Sequence, residues 1–324
     1  MASCLALVDK EKKIAKRKEV LDKGSEGFFL LFAILCSLSV FLIVGFILVR
    51  GVKPFLGGYY GGGKQDVLAF FTSYNWTYSG EGGMPFLLLT TIYVTGLSLL
   101  MAAPIAILGA LFIARVAPKK IRVIFQTALE ILSSIPSVIY GLFGMAVICP
   151  LIRNLPGIGN LTSGGQSILA ASLVLALMSI PTIGLLSYNA ILDVDPSLIY
   201  ASLALGASKE ETNYKVVLPS AESGIFAGII LGIGRALGEA TAVSMVIGSS
   251  SNGLLFYNPL NPGNTLTSAM LGGMSEAVVD SLGYDVRFSL GLVLILLILV
   301  TTLSLNALKR RRERKRRQLF GLNQ

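Results

Sequence analysis

The chain has 324 residues, of which 53% are hydrophobic and only 14% are charged, and its net charge is +9. A soluble domain carries about 25% charged residues, so this composition excludes an ordinary soluble protein and indicates an integral membrane protein. There is no histidine, and the three cysteines, Cys4, Cys36 and Cys149, lack metal-type spacing. We therefore expect no metal site, no disulfide framework and no cofactor bound by this chain.

Six apolar windows are long enough to cross a bilayer, which takes about 20 residues. They predict an all-α integral membrane protein with six transmembrane helices. In chain order the windows are Phe28–Val49, Met84–Ala114, Ile131–Ile148, Ile168–Tyr188, Gly224–Ile247 and Phe288–Leu308.

The basic residues give the orientation of these spans. Seven Lys and Arg precede Gly27, and eight lie between Lys309 and Arg317. With both termini inside, the inner segments hold 21 basic residues and the outer segments hold 5. This bias predicts cytoplasmic N- and C-termini, and it assigns the excess positive charge to topology and anionic lipid rather than to nucleic acid.

The spans divide the chain into four regions. These are a basic cytoplasmic segment (1–27), a first transmembrane helix with its outer loop (28–83), a membrane core (84–308) and a basic cytoplasmic tail (309–324). The glycine-rich stretch Gly58–Gln65 nearly fits a nucleotide-binding loop. Gln65 replaces the hydroxyl that would bind magnesium, and the charge bias puts the stretch outside, so we interpret it as a flexible loop.

Arg235 and Glu239 lie inside the fifth apolar window, where an ionisable group is costly and usually functional. Arg235 is eleven residues from the inner end of the window, about 16 Å along a helix and therefore near the midplane. One interpretation is an internal pair with Glu239; the other is an anion site, because a guanidinium matches phosphate oxygens in pairs. Both can hold. Gly224, Gly228 and Gly232 predict a face that another helix approaches closely.

Further polar residues extend this prediction to the third and fourth spans. Ser134 and Ser137 belong to a stripe with Glu130 and Ser133 at i, i+3, i+4 and i+7 spacing, and Thr182 follows the proline of the fourth span. We expect these faces to line a substrate path with Arg235. The alternative for the serines is bonding to helix carbonyls or contact between helices.

The inner loop between the fourth and fifth spans carries a more specific pattern. We predict one short helix over Tyr200–Glu211, with a small apolar face. Permease subunits of bacterial ABC importers have an inner loop of the form E-A-A-x3-G-x9-I-x-L-P, and this loop resembles it, with Tyr200 and Ser202 as departures. The resemblance implies a type I, MetI-like permease core and a coupling loop, residues 195–221, that docks on an ATPase. The residues to which it assigns this contact are Ala201, Gly206, Ala207, Glu210, Leu218 and Pro219.

Within that family the chain resembles the phosphate permeases of the PstC group, through Ile135–Gly144, Gly234–Gly248 and Asn261–Met270. The resemblance implies phosphate import in the bacterial plasma (inner) membrane. It also implies a second permease (PstA-like), two ATPases (PstB-like) that use ATP and magnesium, and an outer phosphate-binding protein (PstS-like). This chain would then be a transport subunit and not an enzyme.

Three alternatives remain at this point. A permease of the same architecture could carry sulfate or molybdate, because arginine reads charge and oxygen geometry rather than the central atom. A stand-alone secondary transporter would need no coupling loop. An intramembrane enzyme using Glu239 would need a nucleophile–base pair that the sequence does not offer.

Overall fold

The structure is a computed structural model that describes residues 2–56, 60, 64–77, 82–155, 164–250, 258–274 and 277–319, with side chains described between 25 and 314. Most of the glycine-rich stretch and the ends of both basic termini lie outside the described residues or side chains. The regular structure in the described part is helical. The helices are α1 (Ala2–Val52), α2 (Val67–Thr72), α3 (Pro85–Leu111), α4 (Lys119–Ser134), α5 (Ser137–Phe143), α6 (Cys149–Arg153), α7 (Ile168–Leu192), α8 (Pro196–Ala204), α9 (Lys209–Thr212), α10 (Leu218–Ser220), α11 (Glu222–Gly238), α12 (Thr241–Val246), α13 (Leu266–Leu271) and α14 (Leu282–Leu319).

The chain divides into two units between Arg50 and Gly51. The first unit consists of α1 as far as Arg50, and its apolar residues from Phe28 to Val49 are mostly exposed. Such a surface, unfavourable in water, is what a lipid-facing helix requires. The second unit contains all the other helices.

The membrane prediction is confirmed by four continuous helices that are long and apolar enough to span a bilayer in the described part of the chain, rising to six if two bent pairs each count as one span. The continuous ones include α3, α7 and α14. Helix α7 is the most buried, and it packs against α3, α4, α11 and α12. The second unit is therefore built around α7.

The third window is not one straight helix but part of a bent pair, which counts as a span only if the two segments cross together. The chain bends by 95° between α4 and the helical run that begins with α5. Ile135 and Pro136 at the bend are both extended, with ψ of 128° and 141°. Proline has no N–H to donate and disfavours a helical residue before it, which accounts for the break. Pro181 occupies a similar sequence, yet α7 continues through it.

The fifth window is also broken. Helix α11 ends at Gly238, Glu239 is extended with ψ of 111°, and α12 starts at Thr241. The sequence prediction of one helix from Gly224 to Ile247 is therefore wrong at its outer end. At the inner end, α11 meets the preceding helical run at an angle of 64°.

The outer segments pack against residues of α3, α13 and α14. An apolar cluster joins Phe70 and Trp76 of the first outer loop to Phe86, Leu266 and Leu290. Beside it, the fully buried Asp285 accepts a hydrogen bond from the Tyr60 hydroxyl at 2.5 Å and lies 3.5 Å from Lys53 Nζ. A buried carboxylate is tolerated when it is paired in this way.

Candidate functional site

Arg235 lies half-buried in the last turn of α11, where the carbonyl end of the helix dipole favours a cation. Its Nη1 donates a hydrogen bond to Thr182 Oγ1 on α7 at 2.9 Å. Among the described residues, no carboxylate oxygen lies within 4.0 Å of this guanidinium. A guanidinium has five N–H donors, so most of them remain available to a ligand.

An open-sided cavity of about 630 Å³ lies beside Arg235, between α7, α11 and α14. Ala227, Ile230, Leu231 and Gly234 form its apolar wall. Its polar lining combines Thr182 and Arg235 with three residues of the last helix: Thr302, Asn306 and Lys309.

The three residues from α14 were not identified from the sequence. Thr302, Asn306 and Lys309 follow one another at i, i+4 and i+7, which is the spacing of one helix face. This polar stripe in an apolar helix is the sequence signal that could have identified them. It was hidden because Lys309 opens the basic run and was counted with the tail, whereas α14 continues without interruption to Leu319.

The glycine face predicted on the fifth span is confirmed, and its neighbour is α7. A Cβ added at Gly224 would clash with Ala190 Cβ. One at Gly228 would lie 3.1 Å from Leu186 Cβ and 3.3 Å from a backbone oxygen of α7. The two helices therefore touch nearly backbone to backbone, which holds Arg235 against Thr182.

Glu239 has a different place from the one its spacing suggested. Its Oε1 accepts a hydrogen bond from Ala242 N at 3.1 Å, so the carboxylate caps the start of α12. The carbonyl oxygen of Glu239 accepts a bond from Thr267 Oγ1 at 2.9 Å. In the described structure the proposed pair of Glu239 with Arg235 does not form, because the helix ends between them and the carboxylate is used locally.

Ser134 and Ser137 do not share one helix face, because the chain bends between them. Ser134 is exposed and its hydroxyl donates to the Glu130 carbonyl oxygen at 2.9 Å, as Ser133 does at 2.8 Å. Ser137 begins α5 and is half-buried. Neither serine is among the residues that line the Arg235 cavity. Their role in a substrate path stays a prediction.

The coupling loop is two short helices rather than the single helix predicted over Tyr200–Glu211. Helix α8 is capped by Asp195, whose carboxylate accepts a bond from Ser197 N at 2.8 Å. It ends before Gly206, which has a φ of +86°, a conformation that only glycine adopts easily. Ser208 then starts α9 in a reciprocal cap with Glu211.

The loop presents a largely exposed surface. Ala201, Gly206, Glu210 and Pro219 are exposed, and Ala207 and Leu218 are half-buried. Apolar side chains share this exposure, notably Leu205 at 89% and Tyr200 at 70%. A loop that exposes large apolar groups beside charges is typical of a protein-docking surface.

The same loop is fastened to the membrane helices. Ile199 of α8 and Val217 are buried in an apolar cluster with Tyr188 of α7 and Ile225 of α11. Within the loop, the Ser202 and Thr212 hydroxyls lie 3.0 Å apart and join α8 to α9. A displacement of the loop would therefore be transmitted to α7 and α11, which carry Thr182 and Arg235.

The model of the family described as "Binding-protein-dependent transport system inner membrane component" matches residues 104–318. The chain belongs to this family. It is a multi-pass inner-membrane permease of the MetI type, and a transport subunit rather than an enzyme.

Named relatives cover most of the permease. "Probable ABC transporter permease protein YqgH" of Bacillus subtilis (strain 168) is 34% identical over 267 residues, which is 81% of this chain and 82% of that protein. "Phosphate transport system permease protein PstC" of Xylella fastidiosa (strain Temecula1 / ATCC 700964) is 33% identical over 290 residues, covering 84% and 87%.

A solved structure supports the fold. A chain from the crystal structure of a bacterial alginate ABC transporter, in complex with an alginate pentasaccharide-bound periplasmic protein, aligns with a TM-score of 0.62 at 18% identity. The alignment covers 87% of the permease and 94% of that chain. The likeness is one of architecture.

Proposed function

We propose that the permease is one half of an ATP-driven importer that moves inorganic phosphate across the bacterial inner membrane. The observation that carries this proposal is Arg235, a half-buried cation on a spanning helix, open to a cavity and with no carboxylate of the described residues at salt-bridge distance. Relatives that are named as phosphate permeases support phosphate as the transported anion.

The geometry at Arg235 suits an oxyanion. Thr182 occupies one donor of the guanidinium and orients the group, while the others can bind two oxygens of one anion. The apolar wall of Ala227, Ile230 and Leu231 lowers the local polarity and strengthens such a contact. Glu239, tied up as a cap, acts on the path by ending α11 and not by neutralising Arg235.

The proposed assembly contains four further chains. They are a PstA-like permease, two PstB-like ATPases that use ATP and magnesium, and a PstS-like phosphate-binding protein on the outer side. The permease itself would bind neither nucleotide nor metal. Its contribution to energy coupling is the coupling loop, whose exposed Leu205 and Tyr200 would dock on an ATPase. Closure of the ATPases would move α7 and α11 through Ile199 and Val217.

The substrate is tested with the assembled complex. The permease is co-expressed with its native partners and reconstituted in liposomes, and ATP hydrolysis is measured with the loaded binding protein. We expect stimulation by phosphate, and none by sulfate or molybdate at equal concentration. Stimulation by sulfate or molybdate alone would reject phosphate and retain the transporter class.

The class is tested by the energy source. Uptake of labelled phosphate should stop when the ATPase subunits carry a substitution that abolishes hydrolysis, with the proton gradient intact. Uptake that continues without hydrolysis but collapses with the gradient would make the permease a secondary transporter.

A further inference from the structure

We propose that Lys309 is a second phosphate-binding residue, at the cytoplasmic end of the same path. This inference rests on the proposed function, because it requires the anion to pass Arg235. Lys309 would receive the phosphate as it leaves Arg235 and before it reaches the cytoplasm.

The cavity supplies the first argument. Lys309 lines the same space as Arg235 and Thr182, although it lies in the run that the sequence assigned to the tail. Its side chain is 25% exposed, much less than Arg312 on the next turn at 54%. In this position its ammonium can meet an anion that enters the cavity.

The rest of the stripe provides hydrogen-bonding groups along the cavity. Thr302 and Asn306 precede Lys309 on the same face of α14, and Lys309 lies seven residues after Thr302, about 10 Å along the helix. An anion can therefore move past a hydroxyl and an amide towards an ammonium without a gap of purely apolar wall. Two successive sites, each of moderate affinity, let the anion bind and still leave.

Arg312, one turn further along α14, makes different contacts from Lys309. Arg312 donates to Glu222 Oε1 at 3.1 Å and lies 4.9 Å from the centre of the Phe226 ring, so it fastens α14 to α11. Among the described residues, the ion pair of Lys309 is a long one with Glu313, 3.9 Å away and one turn further on. A pair of that length on a surface contributes little, so exchange of Glu313 for a phosphate oxygen costs little.

A phosphate group could reach Lys309 from two sources, namely the transported anion or the headgroup of an anionic phospholipid. The cavity favours the transported anion, because Lys309 and Arg235 line the same open-sided space. The two sources differ in one respect that can be measured, which is the dependence on lipid composition.

The test compares four variants of the assembled complex in liposomes. Lys309→Gln removes the charge and Lys309→Arg keeps it. Arg310→Gln is the matched control, since it removes an adjacent and exposed positive charge. Glu313→Gln breaks the same ion pair from its other side.

We expect Lys309→Gln to lower the rate of phosphate uptake about fivefold, with Lys309→Arg and Arg310→Gln within about twofold of the unaltered complex. Glu313→Gln should not lower the rate. Equal losses in Lys309→Gln and Arg310→Gln would overturn the proposal, and so would a loss in Glu313→Gln as large as in Lys309→Gln, since the pair would then matter and not the cation.

The lipid arm repeats the measurement in liposomes of phosphatidylcholine alone and of phosphatidylcholine with phosphatidylglycerol. The loss in Lys309→Gln should be the same in both. A loss confined to the anionic liposomes would assign Lys309 to a lipid headgroup and overturn the proposal. Arg235→Ala distinguishes failure of the proposed function from failure of this inference. Full uptake in Arg235→Ala would reject the path through Arg235. Lost uptake in Arg235→Ala together with normal uptake in Lys309→Gln would reject the role of Lys309 alone.

Discussion

The guanidinium of Arg235 and the hydroxyl of Thr182 are joined by a hydrogen bond of 2.9 Å between residues 53 apart in the chain. The bond crosses from α11 to α7 and fixes the guanidinium at the wall of the cavity. It also leaves the arginine bound by a neutral partner, so its charge is not cancelled.

Removal of this charge should stop transport. We expect Arg235→Ala to lower phosphate uptake about a hundredfold or more, because a buried contact to a charged group is lost. Arg235→Lys should lower it about tenfold, since a point charge replaces a bidentate fork. Uptake into liposomes is the measurement, and co-purification of the partner subunits is the control for assembly. Full activity of the lysine variant would mean that charge alone matters.

Thr182→Val tests the orientation of the guanidinium without a change of charge or shape. The lost hydrogen bond corresponds to about 1 kcal/mol, so we expect uptake to fall about fivefold. Thr182→Ser keeps the hydroxyl and should retain the rate. If valine and serine behave alike, the bond between α7 and α11 has no part in transport.

Gly228→Ala tests the close approach of α11 to α7. The new methyl would lie 3.1 Å from Leu186 Cβ, and overpacking of this kind costs about 1–3 kcal/mol. Gly234→Ala, in the same helix, would meet nothing within 4 Å and serves as the control. Thermal unfolding of the purified permease in detergent should show a lower midpoint for Gly228→Ala only; equal midpoints would contradict the glycine face.

Gly206 tests the coupling loop. A side chain there has open space, so any penalty comes from the φ of +86°. Gly206→Ala should therefore weaken ATPase binding more than Gly206→Asn, because asparagine tolerates this conformation better. Co-purification of the ATPase with each variant gives the order, and the opposite order would argue that size rather than backbone conformation matters.

Two caps of the coupling loop predict its response to acid. Hydrogen bonding to Ser197 lowers the pKa of Asp195, and the contact with Lys215 lowers the pKa of Glu211. A carboxyl group whose pKa is lowered in the folded state stabilises the loop at pH values above its ordinary pKa. This stabilisation is lost as the pH falls through the lowered pKa. Hydrogen-exchange protection, corrected for intrinsic rates, should thus be equal at pH 7 and about pH 5, and fall only below about pH 4. Loss of protection between pH 7 and pH 5 would contradict the caps.

Hydrophobicity alone located the membrane core, because burial of about 20 apolar residues is what a span requires. The glycine face was equally readable from the sequence, since small residues at four-residue spacing lie on one side of a helix and let another helix approach it closely. The bends were not. Pro136 breaks its helix and Pro181 does not, although their flanking sequences are similar, so tertiary packing decides which proline is accommodated.

The sequence predicted only part of the site, because local patterns identify polar residues but not the tertiary contacts between them. Arg235 and Thr182 were each recognised as polar groups inside apolar windows, and the structure brings them together. The pairing of Arg235 with Glu239 assumed one continuous helix, and the extended backbone at Glu239 removes that assumption. Lys309 was missed because a count of charges treats every basic residue near a terminus alike. In the structure, Lys309 lines the cavity and Arg310 does not.

The tight seam between α7 and α11 has a consequence for the transport cycle. Closely packed helices slide or tilt as a rigid pair more readily than they separate, because packed interfaces resist gradual deformation. Thr182 and Arg235 stand on opposite sides of that seam, so the anion-binding geometry would travel intact while the surrounding helices open to one side or the other. Selectivity would then be the same in the outward and inward states, and only the route to the site would alternate.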